Sequence, residues 1–205
     1  MERVLNRRAF MLLAVISVFM TGFIVMWSCR DIAGFADYVG INETMLDIPV
    51  AWVVALCTAV GYVAYTAYMV PLVRSNIFVF RGLLKWIGIY AALSGGLVEE
   101  LVFRRMLMDW LYWGECGIVI QIFVSGVAFG LVHLSWSLFG GSWRVGMASF
   151  LSTTVLGLLL AVVYIIADRN VLPAVMAHII INIFVEPWLI MNAVESHGVS
   201  DEERK

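Results

Sequence analysis

Charged residues are scarce in this sequence. Asp, Glu, Lys and Arg make up 14% of its 205 residues, whereas 62% are hydrophobic. A soluble domain is about a quarter charged and about half apolar, so the composition excludes an ordinary water-soluble fold. The net charge of −2 also gives no reason to expect a nucleic-acid partner.

Several motifs of well-known catalytic and metal sites are missing as well. Cys29, Cys57 and Cys116 have no CxxC spacing, which argues against a cysteine-based zinc or redox site. A disulfide between Cys29 and Cys116 stays open, since both can lie near the same membrane face. No GxSxG or HExxH sequence occurs, so neither a serine nucleophile elbow nor a zincin helix is supported.

The N-terminal region lacks a clear signal-peptide cleavage site. Arg3, Arg7 and Arg8 precede an apolar run from residue 9 to residue 27, which is long for the apolar part of a signal peptide. We interpret this run as a first transmembrane span that is retained.

Long hydrophobic runs, by contrast, are abundant. A helix needs about 20 mainly apolar residues to cross the roughly 30 Å hydrocarbon core of a bilayer. Six runs approach that length, at about 9–28, 48–70, 86–108, 117–138, 146–167 and 171–191. The sequence therefore predicts an all-α, polytopic transmembrane helix bundle of about six spans. We expect one membrane domain over residues 1–205, in which the first two spans precede a core at about 86–191.

The positions of lysine and arginine predict the orientation, because cytoplasmic loops carry an excess of these residues. With the N-terminus inside, Arg30 and Arg169 are the only basic residues assigned to the outer side. The inner side then holds Arg3, Arg7, Arg8, Arg74, Arg81, Lys85, Arg144, Arg204 and Lys205. We therefore expect both termini to be cytoplasmic.

Polar residues nevertheless occur inside the predicted spans, where each charge costs about 2.5–3.5 kcal/mol on insertion scales. They include three pairs with i, i+4 spacing, which places the members of a pair on one helix face. The pairs are Glu100 with Arg104, Phe129 with His133, and His178 with Asn182, and Glu99 precedes the first pair.

Each pair has a purely structural interpretation. Glu100 and Arg104 can form a buried ion pair, and an intramembrane histidine or asparagine often only hydrogen-bonds a neighbouring helix. Together, however, these residues are the ingredients of a water-activating hydrolase in an intramembrane polar cavity. A carboxylate can take a proton from water and an imidazole can position that water. A second imidazole and an amide can donate hydrogen bonds to an oxyanion.

The order of the three motifs resembles that of the CAAX-protease and bacteriocin-processing family of intramembrane proteases, also called the CPBP or Abi family. The matching segments are Glu99-Glu100-x-x-x-Arg104, Phe129-x-x-x-His133 and His178-x-x-x-Asn182. The resemblance implies an endopeptidase that cleaves membrane-associated peptides of lipidated or leader type. The short chain is most similar to compact prokaryotic members, so we expect it in the lipid bilayer of a prokaryotic cytoplasmic membrane.

The resemblance also implies roles for four polar residues. Glu99 and His133 would activate the attacking water, and His178 and Asn182 would stabilise the oxyanion.

The other motif residues would hold the geometry of the site. Arg104 and Phe129 would be supporting residues, and Glu100 is both a supporting and a candidate catalytic residue. We expect no cofactor. The alternative is a zinc site, whose ligands would be Glu99, His133 and His178.

Three further functions stay open on the sequence. A proton- or ion-coupled transporter would use the same residues as a relay, a haem protein would use His133 and His178 as axial ligands, and an inactive family member would act as a scaffold. The hydrolase predicts about 4–6 Å between a ring nitrogen of His133 and a carboxylate oxygen of Glu99. By the span boundaries, however, His133 lies about 8 Å and Glu99 about 20 Å from the inner face. A helix must therefore tilt, kink or end elsewhere than predicted.

Overall fold

The computed structural model describes residues 2–135 and 143–202, with side chains described for residues 7–135 and 143–194. Every regular element in these ranges is a helix, which confirms the all-α prediction. In chain order the elements are α1 (Glu2–Ser28), α2 (Ile32–Val39), α3 (Pro49–Met69), α4 (Pro71–Asn76), α5 (Leu83–Glu100), a π-helix π1 (Leu101–Met108), α6 (Asp109–Trp113), α7 (Ile118–His133), α8 (Trp143–Ile166) and α9 (Leu172–Glu202).

The helices include five segments that are long and apolar enough to cross a membrane. They are Arg7–Ser28, Pro49–Met69, Leu83–Trp113, Trp143–Ile166 and Leu172–Val194. Helix α7 is apolar but has only 16 residues, a length of about 24 Å. It ends at His133 and residues 134–135 form a turn, so the prediction that the fourth span continues through them is wrong. The last three residues of that predicted span, 136–138, lie outside the described residues.

Large hydrophobic side chains cover the outside of the bundle. On α1, for example, Val15, Val18 and Phe19 are 69%, 72% and 63% exposed. A soluble monomer rarely exposes apolar surface on this scale, whereas lipid chains solvate it without cost. The chain is therefore an integral membrane protein with a polytopic helix bundle.

Prolines mark the ends and the irregularities of the helices. Pro49 and Pro71 occupy the first turns of α3 and α4, where the missing N–H is not needed. Pro187 instead lies inside α9. Because proline has no N–H, the carbonyl four residues earlier, that of Ile183, loses its helical donor.

Helix α9 is the centre of the bundle, since it packs against α1, α3, α5 and α8. Its approach to α5 depends on Gly96, where an added Cβ would lie 3.3 Å from the backbone nitrogen of Ile179. Helices α7 and α8 also approach closely: a Cβ at Gly126 would lie 2.9 Å from the backbone nitrogen of Leu158. Small residues in membrane helices allow such backbone approach, which brings polar groups of different helices together.

A polar network fixes the turn between α8 and α9. Asp168 and Arg169 have φ angles of 50° and 64°, in the left-handed region that tight turns use. Arg169 Nη1 lies 2.7 Å from Asp109 Oδ1, and the Tyr164 hydroxyl donates to the same oxygen at 2.8 Å. Arg169 also donates to Gln121. The network joins the start of α9 to α6 and α7, and so fixes where α9 enters the bundle.

The disulfide left open by the sequence is not formed. Cys29, Cys57 and Cys116 are all free thiols.

Candidate active site

The first motif lies where α5 passes into π1. Glu100 is the last residue of α5, and its Oε2 lies 3.1 Å from Nε of Arg104 in π1. Both side chains have no exposed surface. Arg104 also donates to the backbone carbonyl of Gly157 on α8 at 3.1 Å. The predicted i, i+4 ion pair therefore exists, and it is tied to a third helix.

The π-helix itself is an unusual feature of the site. π-Helices are rare and frequently occur at functional sites. Here Ser125 of α7 donates a hydrogen bond to the backbone carbonyl of Phe103 in the π-helix at 3.0 Å. A neighbouring helix thus contacts the backbone of the π-helical turns. The π-helix carries Arg104 and places its guanidinium against Phe129 of α7 and Gly157 of α8.

His178 is fixed by the first motif. It projects from α9, is 2% exposed, and its Nδ1 lies 2.8 Å from Glu100 Oε1. Because Glu100 also pairs with Arg104, we treat it as an ionised acceptor, which assigns the proton to Nδ1. The Nε2 atom of His178 is then the ring nitrogen that faces the site.

His133 is fixed by its own helix. It lies in the last turn of α7, and its Nδ1 is 2.8 Å from the backbone carbonyl of Phe129, four residues earlier. A carbonyl oxygen can only accept, so Nδ1 must carry the proton. The neutral ring therefore has its lone pair on Nε2.

Glu99 lies where the two imidazoles meet. Its Oε2 is 3.8 Å from Nε2 of His133 and 3.9 Å from Nε2 of His178. The first distance is slightly shorter than the predicted 4–6 Å and confirms the expected proximity. The Glu99 side chain is 21% exposed and that of His133 is 19% exposed, whereas Glu100 behind them is fully buried.

Phe129 is the aromatic centre of the cluster. It has no exposed surface, and its ring lies 4.5 Å from the His133 ring and 5.5 Å from the His178 ring. The guanidinium of Arg104 lies 4.9 Å from its centroid, within the range of a cation–π interaction. Phe129 thus contacts both imidazoles and the buried cation, while its carbonyl orients His133.

Asn182 is not brought into the cluster in the same way. It follows His178 by one turn of α9 and is half-buried, but within the described residues it forms no hydrogen bond or ion pair. It shares a helix face with His178, as the spacing predicted.

The end of α7 explains the expected mismatch in depth. Since the helix stops at His133, that residue need not lie near a membrane surface, and it meets Glu99 and His178 inside the bundle. The assumption that the helix continues to residue 138 is what placed His133 too close to the inner face.

Two ionisable residues near the site, Glu186 and Lys85, escaped the sequence analysis. Glu186 lies two turns after His178 on α9; its Oε2 is buried without a hydrogen-bond partner in the described part of the chain, and it is close enough to interact electrostatically with Glu99 and His178. The available signal was an acidic residue inside a predicted span, eight positions after a histidine. Lys85, which the sequence assigned to the inner loop side, is instead fully buried and donates to the backbone carbonyl of Ile183.

The cluster has the donor chemistry of a zinc site but not its spacing. Tetrahedral zinc with bonds of about 2.0–2.1 Å sets its donor atoms about 3.3 Å apart. The separations of 3.8 and 3.9 Å from Glu99 to the two imidazoles are about half an ångström wider. In the described ranges, no three His, Cys, Asp or Glu side chains are arranged to hold a metal ion. The residues as they stand therefore do not fit the metal.

Fold and site together define a polytopic membrane protein with a partly buried Glu/His cluster where α5, α7 and α9 meet. Residues 81–184 match the family model described as Rce1-like, type II CAAX prenyl endopeptidase Rce1-like. This match covers half of the chain and includes all three motifs, so the chain belongs to this family. No curated protein and no solved structure matches the chain. Membership supports an intramembrane CAAX-type endopeptidase that acts on membrane-associated peptides or proteins.

Proposed function

We propose that the chain is a glutamate-dependent intramembrane endopeptidase in which Glu99 and His133 activate a water molecule. The observation that carries this proposal is the meeting of Glu99 Oε2 with His133 Nε2 at 3.8 Å. With the proton of His133 on Nδ1, both facing atoms are hydrogen-bond acceptors and do not bond each other. A molecule with two hydrogens, such as water, satisfies both acceptors at once.

In the proposed reaction, the water oxygen attacks the carbonyl carbon of the scissile peptide while Glu99 takes one of its protons. His133 holds the other hydrogen and so sets the direction of the attacking lone pair. The tetrahedral intermediate has its negative charge on the former carbonyl oxygen. When the carbon–nitrogen bond breaks, the proton on Glu99 passes to the leaving nitrogen, and an acid and an amine are released.

His178 and Asn182 are the proposed donors to the oxyanion. A second proton on His178 Nε2 would make it a charged donor, and the carboxylates of Glu100 at 2.8 Å and Glu99 at 3.9 Å favour that positive charge. Asn182 would supply an amide N–H from the next turn of α9. Preorganised donors of this kind are a large part of acyl-transfer catalysis.

Glu100, Arg104 and Phe129 are the proposed supporting residues. Glu100 holds the proton on Nδ1 of His178, and Arg104 balances the Glu100 charge and anchors it to α8 through Gly157. Phe129 orients His133 through its carbonyl. None of these steps needs a metal ion, in keeping with the spacing of the donor atoms.

The proposed substrate is a membrane-associated peptide of lipidated or leader type, reached from the cytoplasmic side of a prokaryotic membrane. Membership in the family supports a membrane-associated substrate, and the side of approach is part of the proposal, together with the topology that has both termini cytoplasmic. A reporter that is active only outside the cytoplasm should be inactive when fused after Lys205. Activity of this reporter would show that the C-terminus lies outside the cytoplasm and would overturn the proposed topology.

The decisive experiment compares Glu99→Gln with Glu43→Gln, a matched change at an exposed residue outside the cluster. Membrane proteomics of the two strains should show an uncut peptide that accumulates only with Glu99→Gln. Cleavage of this peptide by the purified variant should be slower by at least about 10²–10⁴-fold, the usual contribution of a general base. Cleavage by the Glu99→Gln variant at the wild-type rate would rule out the proposal.

A further inference from the structure

A second concave region lies away from the Glu/His cluster, where the beginning of α1 meets the beginning of α5 and the middle of α9. This groove has a volume of about 480 Å³. It is lined by Arg7, Phe10, Arg81, Gly82, Leu83, Leu84 and Trp188. Trp188 is ten residues beyond His178 on α9, about 15 Å along the helix, so the groove is separate from the proposed catalytic site.

The groove is positively charged. Arg7 and Arg81 are both exposed, and neither forms an ion pair with any residue whose side chain the structure describes. No acidic residue is among those that line the groove. An anion is therefore the ligand that this set of charges favours.

Trp188 provides an independent sign of a ligand. The residue is 6% exposed, and its Nε1 is buried without a hydrogen-bond partner in the described part of the chain. The indole N–H can only donate, and a buried donor left unpaired costs about 1–3 kcal/mol. The missing partner is thus an acceptor atom, which agrees with the two arginines that line the same groove.

The position of the groove favours a lipid over a soluble anion as its ligand. Arg7 precedes the apolar run at residues 9–27 by two residues, and Arg81 precedes the span Leu83–Trp113 by two residues. Both arginines therefore lie at the depth of lipid headgroups. The other side chains of the groove near the two arginines are apolar, namely Phe10, Leu83 and Leu84. Leu83 is 77% exposed, so its side chain can contact an acyl chain.

We propose that this groove binds an anionic phospholipid, with the phosphate between Arg7 and Arg81 and one acyl chain along Phe10, Leu83 and Leu84. Arginine suits this role because its planar fork of donors matches phosphate oxygens. Trp188 donates its N–H to the same headgroup after a small side-chain adjustment. Basic pockets between membrane helices bind anionic headgroups for these reasons.

The test is native mass spectrometry of the full chain released from detergent with dioleoyl-phosphatidylglycerol or dioleoyl-phosphatidylcholine. Wild-type protein should retain the anionic lipid preferentially. Loss of a hydrogen bond to a charged group weakens binding about tenfold, so Arg7→Gln with Arg81→Gln, which removes both guanidinium contacts to the phosphate, should weaken retention at least about tenfold. Trp188→Phe keeps the aromatic wall, and loss of its hydrogen bond to a charged group should weaken retention about tenfold.

The matched control is Arg8→Gln with Arg74→Gln, which removes the same charge from two exposed arginines outside the groove. It should retain the anionic lipid within about twofold of wild type. Equal retention of the two lipids, or an equal loss in the control, would overturn the proposal in favour of general surface attraction. Displacement by millimolar inorganic phosphate would show that the ligand is a soluble anion. Because the readout is binding, its outcome is independent of any proteolytic activity.

Discussion

Lys85 donates a hydrogen bond to the backbone carbonyl of Ile183, the acceptor that Pro187 leaves without its helical donor. One buried residue of α5 thereby completes the hydrogen bonding of α9 at its proline. The ammonium is also surrounded by aromatic rings, with the Phe80 centroid at 4.5 Å. Since α5 carries Glu99 and α9 carries His178, this bond helps to set the register of the two helices that form the site.

The variant Lys85→Met should lower the free energy of unfolding by about 1–3 kcal/mol, because it leaves the Ile183 carbonyl buried without a partner. Titration with a denaturing detergent in mixed micelles measures this change. In a Pro187→Ala background the new N–H can bond Ile183, so the same lysine substitution should cost about 1 kcal/mol less. An identical cost in both backgrounds would show that the lysine and the proline are not coupled.

The Glu100–Arg104 pair should be strongly coupled in stability. Either Glu100→Gln or Arg104→Met removes one partner of a fully buried ion pair, which typically costs about 3–5 kcal/mol. The double variant leaves no unpaired charge and should be destabilised by clearly less than the sum of the two single changes. Additive effects, measured by the same detergent titration, would contradict the ion pair.

Asn182 is the least constrained of the proposed catalytic residues, so its substitution is informative. Asn182→Ala should lower kcat by about 10²–10³-fold, the usual loss for one oxyanion donor, while KM changes little. Asn182→Asp keeps the shape of the side chain but replaces a donor by a negative charge, and it should lose at least as much. Unchanged kcat in Asn182→Ala would remove this residue from the oxyanion site and leave the role of Glu99 intact.

Chelation separates the metal-free mechanism from the zinc alternative. Exhaustive treatment of the purified protein with a zinc chelator should leave cleavage within about twofold of the untreated rate, since the proposed proton transfers use only side chains. The matched sample receives the chelator already saturated with zinc. A loss of activity that added zinc restores would establish the metal mechanism, with Glu99, His133 and His178 as its ligands.

Much of the site could be predicted because its contacts are local in sequence. An i, i+4 spacing on a helix fixes which side chains share a face, so the Glu100–Arg104 and Phe129–His133 contacts followed directly. The meeting of Glu99 with His133 was predicted as well, from the need of a hydrolase for neighbouring groups. The catalytic roles of these residues, and the division of residues 1–205 into one membrane domain, stay predictions.

The contacts that could not be predicted join residues far apart in the chain. Nothing in the sequence near Lys85 indicates that it is buried against α9, because the acceptor is a backbone carbonyl that Pro187 sets free about 100 residues later. The hydrogen bond from Arg104 to Gly157 and the place of Glu186 near Glu99 depend in the same way on how the helices pack.

Composition and the lengths of the apolar runs by themselves determined that the chain is a membrane-spanning, all-α protein, since these properties follow from solvation of each helix in lipid. The order of the motifs predicted that Glu99, His133 and His178 lie near one another. Only the tertiary structure decided that α7 ends at His133, that both Nε2 atoms face Glu99, and that Glu100 holds His178. These relations depend on the packing of α5, α7, α8 and α9, which close backbone approaches at residues such as Gly96 and Gly126 allow.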